Sequence, residues 1–287
     1  MALAVIDVGG TTIKLAVWDN NELKAAHAIA TPKTLTGFYE DLTAEVKKFQ
    51  QAYAITGVAM STPGAVNQDT GVIEGASALP YIHNFPIQPE LAAHFGLPVT
   101  FENDANCAAL AEVASGAGAG KKRVIVLVLG TGVGGAIIAD GKIEHGAHLL
   151  GGEFGFMVQG DNTVSGLGTA VNAANRYNAA TGENKSGKEV FDLADAGDPQ
   201  AIKEVETMYH ALAVTIFNLQ YSYDPELFLL GGGVSRNPRL LPGVEAALDA
   251  IMKQVEIATV RPEVAICKYK DEANLIGAVA NFEQHLD

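Results

Sequence analysis

The sequence predicts an α/β protein built from two related lobes. Three observations carry that prediction. Apolar strands alternate with amphipathic helices along the whole chain. A glycine-turned hairpin near the start, Val5 to Val17, is echoed by a second one from Val124 to Ala139. Hydrophobic residues make up 48% of the 287 positions, which is enough for a sizeable core. The two hairpins lie too far apart for a solenoid repeat, so each is read as the start of its own lobe.

The elements follow in order. An apolar run ends at Asp7-Val8, Gly9-Gly10-Thr11-Thr12 makes the turn, and Ile13 to Val17 returns. Trp18 to Glu22 is a polar turn, and Leu23 to Ala30 a third strand. Phe38, Leu42, Val46 and Phe49 recur at helical spacing, which predicts an amphipathic helix over Gly37 to Gln51. Ile55 to Met60 is a short strand, broken by Ser61-Thr62-Pro63-Gly64. A loop-rich stretch runs on through Asn84 to Pro89. Pro98 to Glu102 is a strand, and Asn103-Asp104-Ala105-Asn106 opens an alanine-rich helix ending near Gly116. The run Ser115 to Gly120 and the basic Lys121-Lys122-Arg123 read as a solvated surface connection.

The opening pattern then returns. Val124 to Leu129 is a buried strand, Gly130-Thr131-Gly132-Val133-Gly134-Gly135 a glycine turn, and Ala136 to Ala139 the returning strand, closed by the hairpin signal Asp140-Gly141. A glycine-dense loop spans Gly146 to Gly160. Helices are predicted over Leu167 to Ala179, Gln200 to Tyr223 and Pro238 to Val255. Between the last two, the strand Leu227 to Leu230 runs into Gly231-Gly232-Gly233. Glu272 to His285 is a final amphipathic helix, and its place suggests packing against the first lobe.

Charge narrows the function. Lys and Arg number 19 against 33 Asp and Glu, a formal charge of -14, which excludes a broad nucleic-acid surface. Cys107 and Cys267 form no CxxC pair, so neither a disulfide framework nor a thiolate zinc site is expected; both read as small buried residues. No stretch is long and apolar enough to span a bilayer. Asp7 interrupts the first apolar run and no basic region precedes it, so a signal peptide is not expected and a cytoplasmic protein is.

Three glycine turns end apolar strands: Gly9-Gly10, Gly130-Thr131-Gly132 and Gly231-Gly232-Gly233. One alone is ordinary hairpin geometry; three together suggest backbone that approaches an oligophosphate closely. None is a Walker A loop, and Gly130 to Gly135 lies in a hairpin rather than a strand-to-helix context, unlike a dinucleotide fingerprint. Asp7 beside the first turn would repel phosphates unless a cation intervened, and Mg²⁺ suits such a place; the simpler account is an aspartate capping its own turn. Glu102-Asn103-Asp104-Ala105-Asn106 clusters polar side chains at a strand-to-helix junction. Capping explains one of them. A carboxylate there can also accept a proton from a substrate hydroxyl, the role a base plays in phosphoryl transfer.

Taken together, Asp7-Val8-Gly9-Gly10-Thr11-Thr12-Ile13-Lys14, Glu102 to Asn106, Gly130 to Gly135, Gly151-Gly152-Glu153-Phe154-Gly155 and Gly231 to Ser235 resemble, in order, the motifs of ROK-family sugar kinases. The resemblance covers essentially the whole chain. It implies two actin-like (ribonuclease H-like) lobes, 1–113 with 273–287 and 114–272, holding ATP and sugar in the cleft between them. It implies a homodimer. Asp104 then corresponds to the base that deprotonates the sugar's primary hydroxyl, and Asn103 and Glu153 to sugar-binding residues, with Gly64 and Ser77 lining the sugar pocket. Gly9, Gly10, Thr11, Thr12 and Lys14, with Gly130, Thr131 and Gly132, correspond to the two phosphate clamps, Gly231, Gly232 and Gly233 to the adenosine side, and Asp7 to a Mg²⁺ ligand through water. The implied activity is ATP-dependent phosphorylation of the 6-hydroxyl of a hexose or hexoside such as glucose or a β-glucoside. A kinase for an amino sugar such as N-acetylmannosamine is the alternative. A sugar-sensing regulator without catalysis is another, disfavoured because the chain begins at the phosphate hairpin without a helix-turn-helix segment and keeps Asp7 and Asp104.

The departures from the family pattern matter. Phe156 stands where many members have a zinc-binding histidine, and Gln159 to Gly168 lacks their cysteines, so no structural zinc is expected. His145 and His148 lie nearby and read as polar loop residues. A second glutamate that meets the sugar near its anomeric end is replaced, in this alignment, by Gly168. The lost carboxylate is expected to open space for a sugar substituted at C1.

Overall fold

The computed structural model describes residues 1–285. The chain folds into two compact units: one holds 1–114, 146–150 and the segment from Asp271 on, the other 115–145 and 151–270. Positions 286 and 287, assigned by sequence to the first lobe, lie outside the described residues.

The first unit opens with β1 (Ala2–Val8), β2 (Thr12–Asp19) and β3 (Glu22–Ala30), followed by α1 (Leu35–Ala52), β4 (Ile55–Thr62), the small pair β5 (Ala65–Asn67) and β6 (Val72–Glu74), α2 (Ile87–Phe95), β7 (Val99–Asn103) and α3 (Asp104–Ser115). Its main sheet has the order β3-β2-β1-β4-β7. β1 to β3 form an antiparallel meander, while β4 and β7 run parallel to β1. β1 is buried on both faces, as its unbroken apolar run predicts. Ala4, Ile6 and Val8 pack in one cluster with Phe38, Leu42 and Val46 of α1. Leu3 and Val5 pack in another. The α1 helix starts where Thr34 accepts a hydrogen bond from the Gly37 N–H, a side-chain cap worth about 1 kcal/mol.

The second unit holds β8 (Arg123–Leu129), β9 (Val133–Ala139), β10 (Lys142–Ile143), the pair β11 (Val158–Gln159) and β12 (Asn162–Thr163), then α4 (Val164–Leu167), α5 (Ala170–Thr181), α6 (Gly187–Asp195), α7 (Pro199–Tyr223), β13 (Leu227–Gly231), α8 (Leu240–Gln254) and β14 (Val264–Ile266). Its sheet runs β10-β9-β8-β13-β14. Three antiparallel strands are again followed by two parallel ones. The chain ends its described part with α9 (Ala273–Gln284), which belongs to the first unit and packs on β1, β4 and β7. Leu275, Val279 and Phe282 of α9 complete the cluster around Leu3 and Val5.

Four local readings change. Ser61 and Thr62 do not break the strand; β4 continues through both, buried. The stretch ending at Pro89 is not all loop, because Ile87, Leu91 and Phe95 form the buried stripe of α2, and Pro89 falls in its first turn, where a missing N–H costs nothing. The helix expected over Leu167 to Ala179 is two helices, since Thr169 caps α5 by accepting from the Asn172 N–H. Helix α6 lies where the sequence predicts no element. Lys121 and Lys122 form the surface connection as expected, but Arg123 already opens β8; the Glu226 carboxylate accepts from the Lys122 and Arg123 N–H groups, and the Arg123 guanidinium lies 4.4 Å from the Tyr223 ring centre. Both cysteines are buried, and they form no disulfide.

Candidate active site

In the first unit, the C-terminal ends of parallel strands β1, β4 and β7 carry Asp7, the Thr62–Gly64 stretch and Asn103-Asp104 along one edge of the sheet. That edge is where open α/β sheets place their ligands. Asp7 is 8% exposed. One of its oxygens accepts from Asn274 Nδ2 at 3.0 Å, and the other lies 3.8 Å from Lys14 Nζ. The Lys14 ammonium also donates to the Asp271 carbonyl. The turn that follows closes with a bond from the Gly9 N–H to the Thr12 carbonyl, 3.1 Å. The Gly9 and Thr11 carbonyls accept from the hydroxyl and N–H of Thr31. With its oxygens so engaged, the turn presents Gly10, Thr11 and Thr12 at the surface.

Asn103 caps α3. Its Oδ1 accepts from the N–H groups of Ala105 and Asn106, and its Nδ2 donates to the Gly64 carbonyl at 3.0 Å. The capping reading is therefore correct for Asn103, and it leaves the amide's second N–H for a ligand. Asp104 follows in the first helical turn, with Oδ1 accepting from the Ala105 N–H at 2.8 Å. Asp104 reaches the surface, yet loss of water around its carboxyl pushes its pKa above the usual carboxylate range; the Ala105 N–H opposes this and the Asp7 charge adds to it. Beneath the pair sits Glu102, 1% exposed, whose carboxylate accepts from the Asn103 N–H, Asn106 Nδ2 and Gln68 Nε2.

Gly64 and Ser77 are joined by a residue that sequence reasoning missed. Buried His83 has Nε2 2.7 Å from Ser77 Oγ and Nδ1 3.3 Å from the Ile73 carbonyl. Nδ1 facing a carbonyl places the proton there, so the Ser77 hydroxyl donates to Nε2. Gly64 adopts φ +103°, and a Cβ on it would sit 2.7 Å from the His83 ring. His83 thus packs behind the carbonyl that orients Asn103. A histidine set among aromatic and apolar neighbours in Tyr81-Ile82-His83-Asn84-Phe85 was the available signal.

In the second unit, the Gly130 N–H donates to the Gly132 carbonyl at 2.9 Å, closing the β8–β9 turn. Gly130 and Thr131 line a cavity of about 780 Å³ with Gly233, Val234 and residues of α6 and α8's approach. The three consecutive glycines divide their roles. Gly231 ends β13 against Cys267, and Gly232, at φ +84°, lies so close to Leu129 that a Cβ would be 2.3 Å from its carbonyl oxygen. Of the three, Gly233 lines the cavity. The α6 residues Lys188, Phe191 and Asp192 form part of the wall. Their helix begins with a capping box, Ser186 and Glu189, which is the signal the sequence carried for it. Asp192 pairs with Lys188 at 2.7 Å and with Arg239 at 3.4 Å, and Arg239 pairs with Asp195 at 2.6 Å, fixing α6 to the start of α8. Apolar walls from Phe191, Val234 and Pro238, with a glycine turn at one end, suit a flat base and its phosphate chain.

Glu153 is exposed and leads into a tight turn, Phe154–Phe156, anchored by buried Phe154; Phe156 is 73% exposed. Gln159 ties the following strand to α7, donating to the Ala211 carbonyl and to Thr215 Oγ1. Among the described residues no group of three or more His, Cys, Asp or Glu is placed to hold a metal ion. Gly168 corrects the expectation placed on it. It is buried, and a Cβ there would meet the Val164 carbonyl at 3.0 Å and Leu212 at 3.1 Å. It faces this unit's own packing, so its lack of a side chain opens no room for a sugar substituent.

The comparisons with known proteins agree with this geometry. The ROK family model matches residues 3–285. The chain is 32% identical over 300 residues to a β-glucoside kinase of Listeria innocua, covering 99% of this chain and 98% of that protein. A ROK family protein from Streptococcus pneumoniae, solved in complex with sucrose, superimposes with a TM-score of 0.91 and 38% identity, over 100% of this chain and 99% of the other. A ROK family glucokinase from Streptomyces griseus, in complex with glucose and AMPPNP, gives a TM-score of 0.75 and 25% identity, over 98% and 99%. The paired sheets are those of the actin-like fold, and the chain belongs to the ROK family.

Proposed function

We propose that this chain is an ATP-dependent sugar kinase that phosphorylates the primary hydroxyl of a hexose or hexoside, with β-glucosides among its acceptors. The observation that carries the reading is Asp104: a carboxylate of raised pKa at a strand–helix junction, next to an asparagine whose amide is already oriented by Gly64. The sugar oxygen attacks the γ-phosphorus, the bond to the β–γ bridging oxygen breaks, ADP leaves, and the hydroxyl proton passes to Asp104. Asn103 and Glu153 orient the sugar. The turns at Gly9–Thr12 and Gly130–Gly132 hold the phosphates, and the cavity lined by Phe191, Val234 and Gly233 takes the base.

A divalent cation fits beside Asp7, whose buried carboxylate is only partly engaged by Asn274 and Lys14. When bound, Mg²⁺ would neutralise phosphate charge, with Asp7 holding it through water. Acceptance of sugars substituted at C1 is supported by the β-glucoside kinase relative and by the sucrose complex of the pneumococcal protein, not by Gly168. Among the described residues no helix is long and apolar enough to cross a membrane; a cytoplasmic homodimer is the setting this reading expects.

A coupled ADP-release assay with glucose, cellobiose, an aryl β-glucoside and N-acetylmannosamine tests the proposal. Turnover of the β-glucosides is expected. Glucose preferred by a large factor would remove the C1-substituted acceptor. Sugar binding with no ADP from any acceptor would instead favour a sensing protein.

A further inference from the structure

We propose that Ser165 is a positioning residue that locks the Gly130–Gly132 turn to the loop carrying Glu153, so that the phosphate clamp and the sugar contact of this unit move as one body. Three segments converge on its hydroxyl. Ser165 Oγ accepts from the N–H of Val133, the residue that leaves the turn, at 3.0 Å. A Cβ on Gly132 would lie 3.1 Å from that oxygen. A Cβ on Gly155, two residues beyond Glu153, would lie 2.2 Å from it and 2.2 Å from the Val133 carbonyl. The sugar loop therefore lies directly on the exit of the phosphate turn, and only a glycine at 155 fits between them.

Ser165 is itself held from behind. Its carbonyl accepts from Asn172 Nδ2 at 2.8 Å, and the next carbonyl, of Gly166, accepts from Arg176 Nη1 at 2.7 Å. Arg176 is fixed in turn by a 2.7 Å ion pair with buried Glu204. The hydroxyl is thus a fixed point anchored to α5 and α7, and both functional segments are registered against it. A sugar that settles the Glu153 loop then settles the turn through the same atom. The two ligands become thermodynamically coupled, and by linkage the effect is reciprocal.

The inference rests on the kinase reading for the identity of the ligands, so its test reads binding rather than turnover. Calorimetry measures the affinity of AMPPNP with and without saturating cellobiose, and of cellobiose with and without AMPPNP. In the wild type each ligand is expected to tighten the other by the same factor, on the order of fivefold or more. Ser165→Ala should bring that factor close to one while each ligand alone binds within a few-fold of its wild-type affinity. Gly155→Ala, whose Cβ would collide with both the Ser165 hydroxyl and the Val133 carbonyl and so push the loop off the turn, should also abolish the coupling; if it does not fold, Ser165→Ala decides alone. A coupling factor unchanged in Ser165→Ala, with only a lower Tm, makes the serine merely structural and overturns the inference. A wild type that binds both ligands independently overturns it too, yet leaves the kinase reading standing. A wild type that binds neither removes that reading itself and this inference with it.

Discussion

The two glycine-turned hairpins share a plan and differ in what surrounds them. Each opens a sheet of the same order, three antiparallel strands followed by two parallel ones. Each turn closes with one short backbone hydrogen bond, Gly9 to Thr12 and Gly130 to Gly132. The first has buried Asp7 paired across its strands with Lys14, and its carbonyls are tied to Thr31. The second has no ionisable residue in the turn; Ser165 braces it, and it opens on an apolar cavity. The backbone plan sets where a ligand can approach, and the side chains at the strand ends set which part of it is handled there. A charged group is useful where a cation or a proton is managed, and an apolar wall where a base is to be buried.

That division can be broken most severely in the first unit. Asp104→Asn should lower kcat by roughly 100-fold or more, the range for losing a general base, with sugar affinity nearly kept. It should also raise Tm at pH 7. Loss of water around the carboxyl and the Asp7 charge lift the folded pKa of Asp104, so its contribution favours the fold below the ordinary carboxylate range and is lost as pH rises through the raised value. At neutral pH the ionised carboxylate therefore opposes folding, and asparagine relieves it. Loss of activity with an unchanged or lower Tm would contradict this electrostatic account.

The next effect is in the pH profile. A base must be ionised to work, so kcat/KM should fall with acidification at a pH above the usual aspartate range. Asp7→Asn removes one of the charges that raise Asp104, and should move that acid limb, or the Asp104 titration followed by NMR, to lower pH. A limb that stays in place would disconnect the two carboxylates.

The second unit is sharpened by filling its cavity. Gly233 has no neighbouring atom within 4 Å of where a Cβ would stand, so Gly233→Val should fold. It should raise the KM for ATP by roughly tenfold, equivalent to about 1.4 kcal/mol, with the sugar KM unchanged. A rise in the sugar KM instead would place the cavity on the wrong substrate. His83→Ala is the smallest and the mirror case: it should raise the sugar KM a few-fold, leave the ATP KM alone, and cost about 1–3 kcal/mol of stability through the Ser77 and Ile73 groups it leaves behind.

Much of this was legible in the order of residues. The strands of both hairpins and helix α1 follow from runs and spacings that need no distant partner. Asp104 could be singled out because a capping cluster at a strand–helix junction is itself a local pattern. Helix α6 was missed although its capping box and the apolar face of Val190, Phe191, Leu193 and Ala194 were in plain view, because a helix of only 9 residues gives the apolar period little length in which to show itself. Gly168 misled because a missing side chain says nothing about which way one would have pointed.

Composition, spacing and local motifs were enough for the α/β class, the duplicated hairpins, the acidic residues at the ends of β1 and β7 and the resemblance of these motifs to one family pattern. These rest on periodicity and on short-range backbone chemistry, which act within a few residues. That His83 stands behind Gly64, that Gly233 rather than Gly231 lines the cavity, and that Ser165 meets Val133 across 32 positions came from the packing of distant segments. Such contacts depend on how closely packed elements approach, and the size of a gap between two backbones is set by the core that holds both of them.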